Sequence, residues 1–346
     1  MGRVLLVTGV SRDLGGRFAR RIATDPGVDR VVGVDVVPPR AGLGDVDFVR
    51  ADIRNPVIAK VIAGQDVDTV VHLSVRPARS RAGSASSSAS TKEHNVIGTM
   101  QLLAACQRAG GLQRLVVGSS SAVYGSTSRD PAMFTEDMGA KRLPRSGYSK
   151  DVLEVEGYVR GFARRRPDVT VTMLRTANAV GPTVDSPLTD YFRLPVVPTV
   201  LGYDARLQLL HETDLLAVLH HAALHGVHGT FNVAGDGVLM LSQAVRRLGR
   251  PTVAVPGFAM PAVGTLSRQA GMRRIDGELT GLLSFGRGLD VTRMREVLGF
   301  WPRYTTASAF ADFGRSVQAG PLPSPGAALA GATTPQSVGA AGAEHG

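Results

Sequence analysis

Short apolar runs alternate with helical patterns along most of this chain. Val4-Leu5-Leu6-Val7 has no polar face, as expected of a strand covered on both sides. Thr8-Gly9 breaks the run. Gly15-Gly16 then opens residues 17–22, in which Phe18 and Ile22 fall four apart on one helical face. Further strands are predicted at residues 30–37, 46–51, 68–73, 112–118 and 169–174, and helices at 55–62, 93–109 and 144–160. Apolar strands alternating with helices predict an α/β fold: a Rossmann-like, doubly wound parallel sheet.

Past Thr183 the pattern changes. Pro187, Pro195 and Pro198 interrupt it, residues 206–210 look like a strand, and His211-Glu212-Thr213-Asp214 precede a helix at 215–224. Residues 230–234 read as a strand returning to the sheet, 241–248 as a helix, 288–291 as a short extended piece, and 292–298 as a helix ending at Gly299. Residues 76–91 shift to Ser, Ala, Arg and Gly, a loop expected at the carboxyl edge of the sheet. Beyond Gly320 the chain is Pro, Gly, Ala and Ser, too poor in large apolar residues to order itself. The organisation expected is a dinucleotide-binding domain at 1–180, completed by segments near 205–235. An interleaved, smaller C-terminal substrate-binding region at 181–318 and a disordered tail at 319–346 follow.

Composition narrows the class. The 346 residues are 43% hydrophobic and 20% charged, with mean hydropathy +0.05, which suits a soluble globular protein. No apolar run reaches membrane-spanning length and no leader is visible, so a cytoplasmic location is expected. The single cysteine, Cys106, excludes an internal disulfide and a cysteine metal cluster, and its apolar helical setting predicts a buried thiol. Net charge is +10 and the isoelectric point about 10.4. The basic residues are scattered, without interleaved aromatics, so an anionic small molecule explains them better than nucleic acid.

Strand, glycine turn and helix in that order make a phosphate site, because glycines admit a pyrophosphate and helix-start N–H groups point at it. Gly9 and Gly15 fit both T-G-x-x-G-x-x-G and T-G-x-x-x-G-x-G, with Arg12 or Asp13 in place of the middle glycine. Asp35 ends the second strand roughly 20 residues on, where a dinucleotide fold places the acid that binds the adenosine ribose. Asp52, just past the third strand, reads either as acceptor for the adenine amino group or as a helix cap. Asp13 is unhelpful to a pyrophosphate unless it points outward. Arg12 offsets it, or meets a 2′-phosphate. Asp35 opposes such a phosphate, so NAD is expected over NADP. His72 reads as a core histidine, and Glu136-Asp137 as a solvated pair within reach of substrate. His220, His221, His225 and His228 lack nearby carboxylates or cysteines, so no metal site is expected.

With these residues in view, residues 3 to about 315 resemble the extended short-chain dehydrogenase/reductase superfamily, specifically its NAD-dependent epimerase/dehydratase family. The markers are Thr8-Gly9, Asp35, Asp52-Ile53, His72-Leu73-Ser74, Asn95 to Thr99, Ser119 to Gly125, Ser149-Lys150, Arg175 to Asn178 with Gly181-Pro182, His211 with Asp214, and Leu298 to Pro302. Within that family the chain looks closest to an actinobacterial UDP-glucose 4-epimerase-like group. The resemblance implies NAD held by Gly9, Arg12, Asp13, Leu14, Gly15, Asp35, Asp52, Ile53, Leu73, Ser74, Asn95 and Lys150. It implies a nucleotide sugar met by Ser121, Asn178, Arg206 and His211, and a homodimer through a helix pair. A tyrosine takes the hydroxyl proton, a lysine four residues later holds the nicotinamide ribose and lowers the phenol's pKa, and Ser120 polarises the same oxygen.

Here the tyrosine is displaced. Ser146 stands four residues before Lys150, and Tyr148 only two before it. Residues two apart on a helix face different sides, so Tyr148 and Lys150 pair normally only if the helix starts at or after Tyr148, which Gly147 permits. Three readings stay open: Tyr148 as base from a late helix start; another acid or base, or Ser120 with water; and a non-catalytic or atypical NAD(P)-binding protein.

Overall fold

The computed structural model describes residues 2–75, 77, 88–144, 147–260, 262–263 and 275–319. The chain runs β1 (Arg3–Thr8), α1 (Asp13–Ala23), β2 (Val28–Asp35), β3 (Val46–Arg50), α2 (Val57–Gly64), β4 (Thr69–His72), α3 (Ser88–Arg108), β5 (Arg114–Ser120), α4 (Tyr148–Arg165) and β6 (Thr170–Thr176). It continues through β7 (Asn178–Val180), α5 (Pro187–Phe192), β8 (Val197–Val200), β9 (Arg206–Leu207), β10 (Leu209–His211), α6 (Glu212–His225) and β11 (Gly229–Val233). Last come β12 (Leu239–Met240), α7 (Leu241–Leu248), β13 (Thr252–Val255), α8 (Gly277–Phe285), α9 (Thr292–Glu296) and α10 (Thr306–Ala319).

The main sheet has seven parallel strands in the order β11-β6-β5-β4-β1-β2-β3. Successive strands spread from β1 in opposite directions, so the order reverses between β1 and β4, where open α/β sheets hold their ligands. Alternate side chains of β1 feed two cores. Leu5 and Val7 join Phe18 and Ile22 of α1 and Leu216 and Leu219 of α6 on one face. Leu6 joins Ile58 of α2, Leu102 and Cys106 of α3 and Phe162 of α4 on the other. Each such side chain, fully buried, contributes about 1.5–3 kcal/mol relative to exposure. Burial also pushes the Cys106 thiol up to about 12, a packed group and not a nucleophile. A third cluster, including Phe192, Leu207, Leu248, Phe310 and Phe313, forms the core of the C-terminal region.

Four differences from the sequence reading matter. The strand expected at 206–210 is broken at Gln208, whose buried amide donates to Gly235 O at 3.0 Å and accepts from Leu289 N at 2.7 Å. β9 therefore pairs with β12 and β10 with β7, and only β11 completes the main sheet from this half. The helix expected from residue 144 begins at Tyr148, and α3 begins five residues early, at Ser88. Most of the Ser-rich stretch at 76–91, and the tail expected beyond 318 apart from Ala319, lie outside the described residues. Among the described residues no helix is long and apolar enough to cross a membrane.

Candidate active site

β1 delivers Thr8 to the carboxyl edge of the sheet, and Gly9 turns there with φ +84°, a left-handed value that side chains resist. A Cβ on Gly15 would stand 2.2 Å from Gly9 O. Turn and helix are thus pressed together where only glycine fits. Arg12 is the N-cap of α1 but makes no side-chain bond to the first turn, so the helix start keeps its anion-binding character. Asp13 is exposed and turned toward Arg17, 3.3 Å away, out of the loop. Leu14 packs half-buried on the core beneath. Asp35 is fixed beside the turn: its Oδ2 accepts from Ser11 N at 3.0 Å and its Oδ1 from Val36 N at 2.8 Å.

Asp52 is not the cap of α2, whose N-cap is Pro56. Its carboxylate grips Arg54, 2.6 Å from Nη2, and that guanidinium holds it below the usual carboxylate range. His72 ends β4 with Nδ1 2.8 Å from Thr8 Oγ1 and Nε2 2.9 Å from Thr99 Oγ1. Burial drives its pKa down to about 3, so the ring is neutral. It positions Thr8, which accepts from Leu73 N at 3.2 Å, and Ser74 Oγ lies 3.3 Å from the same ring nitrogen. A Cβ on Gly98 would meet Ile53 Cδ1 at 2.8 Å, so glycine lets α3 lie against Ile53. Asn95 Nδ2 donates to Asp151 at 3.0 Å and ties α3 to α4.

β5 ends in Ser120, whose Oγ accepts from Ala122 N at 3.2 Å and acts on the Tyr148 hydroxyl nearby. Gly147 makes this possible: with φ +84° it turns the chain so that α4 starts at Tyr148. The phenol's hydroxyl end is enclosed, and burial pushes its pKa up to about 12. Ser120 and the Arg12 charge pull it back, while Glu278 and Asp151 push it further. Lys150 is not among its strongest neighbours. The ammonium is 3.8 Å from Glu154 Oε1, on a half-buried side chain.

Across the start of α4 lies α8, 129 residues further on, where Ser149 Oγ donates to Glu278 Oε1. Burial raises the Glu278 pKa above the usual carboxylate range. Just past α8, the buried Arg287 donates to Gly125 O (2.7 Å), Ser121 Oγ (3.2 Å) and Ser126 Oγ (3.1 Å), and burial lowers its pKa to about 10. Arg287 and Thr127 line two cavities. One, of about 290 Å³, includes Arg206, Asp130 and Asp204; the other, of about 470 Å³, includes Arg142, Ser149 and Glu278. The charged side chains of this hydroxyl-rich mouth are mixed, Arg142, Arg206 and Arg287 standing among Asp130, Asp204, Asp276 and Glu278.

The sequence profile of the NAD dependent epimerase/dehydratase family matches residues 5–234. The chain belongs to that family. A protein of Mycobacterium tuberculosis, described as uncharacterized, is 50% identical over 317 residues, covering 90% of this chain and 84% of that protein. The UDP-glucuronic acid 4-epimerase of Bacillus cereus, solved with UDP-glucuronic acid and NAD, superposes with a TM-score of 0.69 at 18% identity, over 91% of this chain and 99% of that one. The dTDP-glucose 4,6-dehydratase of Bacillus anthracis, solved with NAD, gives 0.68 at 20% identity, over 92% and 97%. At these identities the two structures establish the Rossmann-like fold.

Against the family pattern, the structure brings Ser120, Tyr148 and Arg12 together and leaves Lys150 paired with a neighbour. His211, expected at substrate, is tied into the fold. Its ring is buried, stacks on Tyr304 at 3.8 Å between centroids, caps α6 through Thr213 N, and sits 3.1 Å from Asp312. Asp214 accepts from the Arg303 and Tyr304 amides, so this motif ties α6 to the chain before α10. Asn178 begins β7, half-buried. Tyr124 is enclosed, stacked on Phe134 and bonded to Asn232 and Arg175. Glu136 is buried against Asn232 N at 2.8 Å, whereas Asp137 is solvated as expected. His220 pairs with Asp25 and His221 with Leu298 O, and no metal-binding group occurs among the described residues. Glu278 and Arg287 went unnoticed in the sequence. Neither belongs to a local motif, and only tertiary closure carries them to α4.

Proposed function

We propose that this family member binds NAD in the β1–α1 turn and acts on a UDP-sugar by 4-epimerase-like chemistry. NAD, when bound, supplies the acceptor and donor for a hydride of the sugar. The remaining work falls to the chain. Gly9, Gly15 and the start of α1 receive the pyrophosphate, Asp35 accepts the ribose hydroxyls, and Asp52-Ile53 meet the adenine. Lys150 swings from Glu154 to the second ribose. Tyr148 and Ser120 together hold the reacting oxygen of the sugar, and Arg206 with Ser121 faces its anionic half. The observation that carries this reading is the late start of α4 at Tyr148, after Gly147 at φ +84°, which brings the phenol under the influence of Ser120. It restores the family's hydroxyl pair although the tyrosine stands two residues late. The ligands held by the Bacillus cereus epimerase support the choice of substrate class.

Incubation of the purified protein with UDP-sugars is expected to give isomerisation, or transient reduction of bound cofactor. Tyr148→Phe should abolish turnover and leave NAD affinity nearly unchanged. Bound NAD that no UDP-sugar reduces would favour a second reading, a dinucleotide-binding protein without turnover. That alternative draws on the Lys150–Glu154 pair and the raised Tyr148 pKa.

A further inference from the structure

We propose that the outer edge of β13 is a docking site for an extended, acidic segment of a partner protein. The proposal is independent of the catalytic reading above. β8 and β13 form a two-stranded parallel sheet in the C-terminal region. Val197 N donates to Pro251 O and Leu201 N to Val255 O, each at 2.9 Å. In an extended strand the N–H and C=O of one residue point the same way, and those of the next point oppositely. Pro251, Val253 and Val255 therefore face β8, and the N–H and C=O groups of Thr252 and Ala254 face outward. Among the described residues none of these outward groups has a partner.

The two edges of this small sheet differ. On β8, Pro198 has no N–H, its carbonyl accepts the Tyr191 hydroxyl at 2.9 Å, and Val200 O accepts from Tyr203 N at 3.1 Å. Thr252 to Val255 carries neither charge nor proline, and Thr252, Val253 and Ala254 are exposed. A protein edge is ordinarily blunted by such devices or covered. The surroundings of β13 point to its occupant. α7 ends in the exposed Arg246 and Arg247, and Arg250 stands two residues before β13. No Asp or Glu occurs between Asp236 and Asp276, whereas six arginines do. Past the other end of the strand, Phe258 is 89% exposed. Main-chain groups in the middle, arginines at the start and a bare ring beyond suit a peptide strand with carboxylates at one end. A second copy of this chain would bring the same uncompensated positive charge to the edge. Nucleic acid or anionic lipid would meet the arginines and leave the main-chain groups unpaired.

The test is fluorescence anisotropy of the purified protein with a labelled peptide of alternating valine and threonine that carries glutamates at one end. Wild type should bind it, more weakly as salt rises. Ala254→Pro removes an outward N–H and leaves the ladder to β8 intact, and should weaken binding about tenfold. N-methylation of alternate amides of the peptide should do the same, a result that does not depend on how the variant folds. Arg246→Glu with Arg247→Glu should favour a peptide with lysines in place of the glutamates. Binding that survives both Ala254→Pro and methylation is charge alone and overturns the strand edge as the site, and no binding by wild type overturns it outright. A dimer in sedimentation that Ala254→Pro dissociates would make the occupant a second copy. Binding to phosphatidylglycerol vesicles but to no peptide would assign the arginines to lipid. Either of these last two results overturns an acidic protein partner.

Discussion

His72 shows what a buried polar residue does for a ligand loop it need not touch. Both ring nitrogens face threonine hydroxyls, Thr8 on β1 and Thr99 on α3, so the ring fixes the end of β1 against the helix behind it. Its folded pKa of about 3 lies below the ordinary histidine value of 6.5. In that window the unfolded chain takes up a proton that the folded one refuses. Stability is therefore lost as pH falls below the unfolded value, by up to about 1.4 kcal/mol per pH unit. In His72→Gln, which does not titrate, the gap in unfolding free energy from wild type should shrink by roughly 2 kcal/mol between about pH 7 and about pH 5. Parallel stability curves for the two proteins, from urea titrations across that range, would contradict a neutral His72.

At the scale of elements, the start of α4 decides how the site is assembled. Gly147 sits at φ +84° and ψ −171°, a region held almost only by glycine. A Cβ there has room, its nearest neighbour being Glu278 Oε2 at 3.5 Å, so the cost of Gly147→Ala is backbone strain. It should lower stability by about 1–3 kcal/mol and reduce turnover by drawing Tyr148 from Ser120. A thermal melt and an assay in which neither changes would refute that placement. The sequence had exposed this possibility because Gly147 precedes the misplaced tyrosine. It had also exposed the strands of the main sheet, since strands covered on both faces read as unbroken apolar runs. The 206–211 segment was less legible. Two strands of two and three residues separated by a buried Gln208 look like one strand, because their partners, β12 and β7, are fixed by tertiary contacts. Likewise α3 gains its first turn from Ser and Ala, residues whose pattern suggested a loop. The glycine turn and Asp35 were legible because their chemistry is local; Glu278 was not, because 129 residues separate it from its partner Ser149.

For the whole molecule, the joint between sheet and C-terminal region is polar where the cores are not. Arg175, on β6, sends Nε and Nη2 to Glu156 of α4 at 2.9 and 2.8 Å, and Nη1 to the Tyr124 hydroxyl and Glu136 O. Ser119 Oγ donates to Glu156 at 2.6 Å, and Asn232 of β11 accepts from Tyr124 and donates to Phe134 O and Asp290 O. One buried ion pair thus couples β5, β6, β11 and α4 to the strand-like pieces that meet at Phe134 and Leu289. Its own contribution to stability is small, because desolvating both charges offsets their attraction, but each partner is needed once the other is buried. Glu156→Gln should destabilise the protein by about 3–5 kcal/mol, since it leaves the Arg175 guanidinium without its counter-charge. Arg175→Met in the same chain should recover most of that loss. Chemical denaturation of the two single variants and the double variant decides the matter. If the two losses simply add, the residues act independently and the ion pair is not what joins sheet and C-terminal region. If the double variant is stable yet turns over UDP-sugar poorly, the network's role is to hold Ser119 and Tyr124, and with them the Ser120 turn, in register with α4.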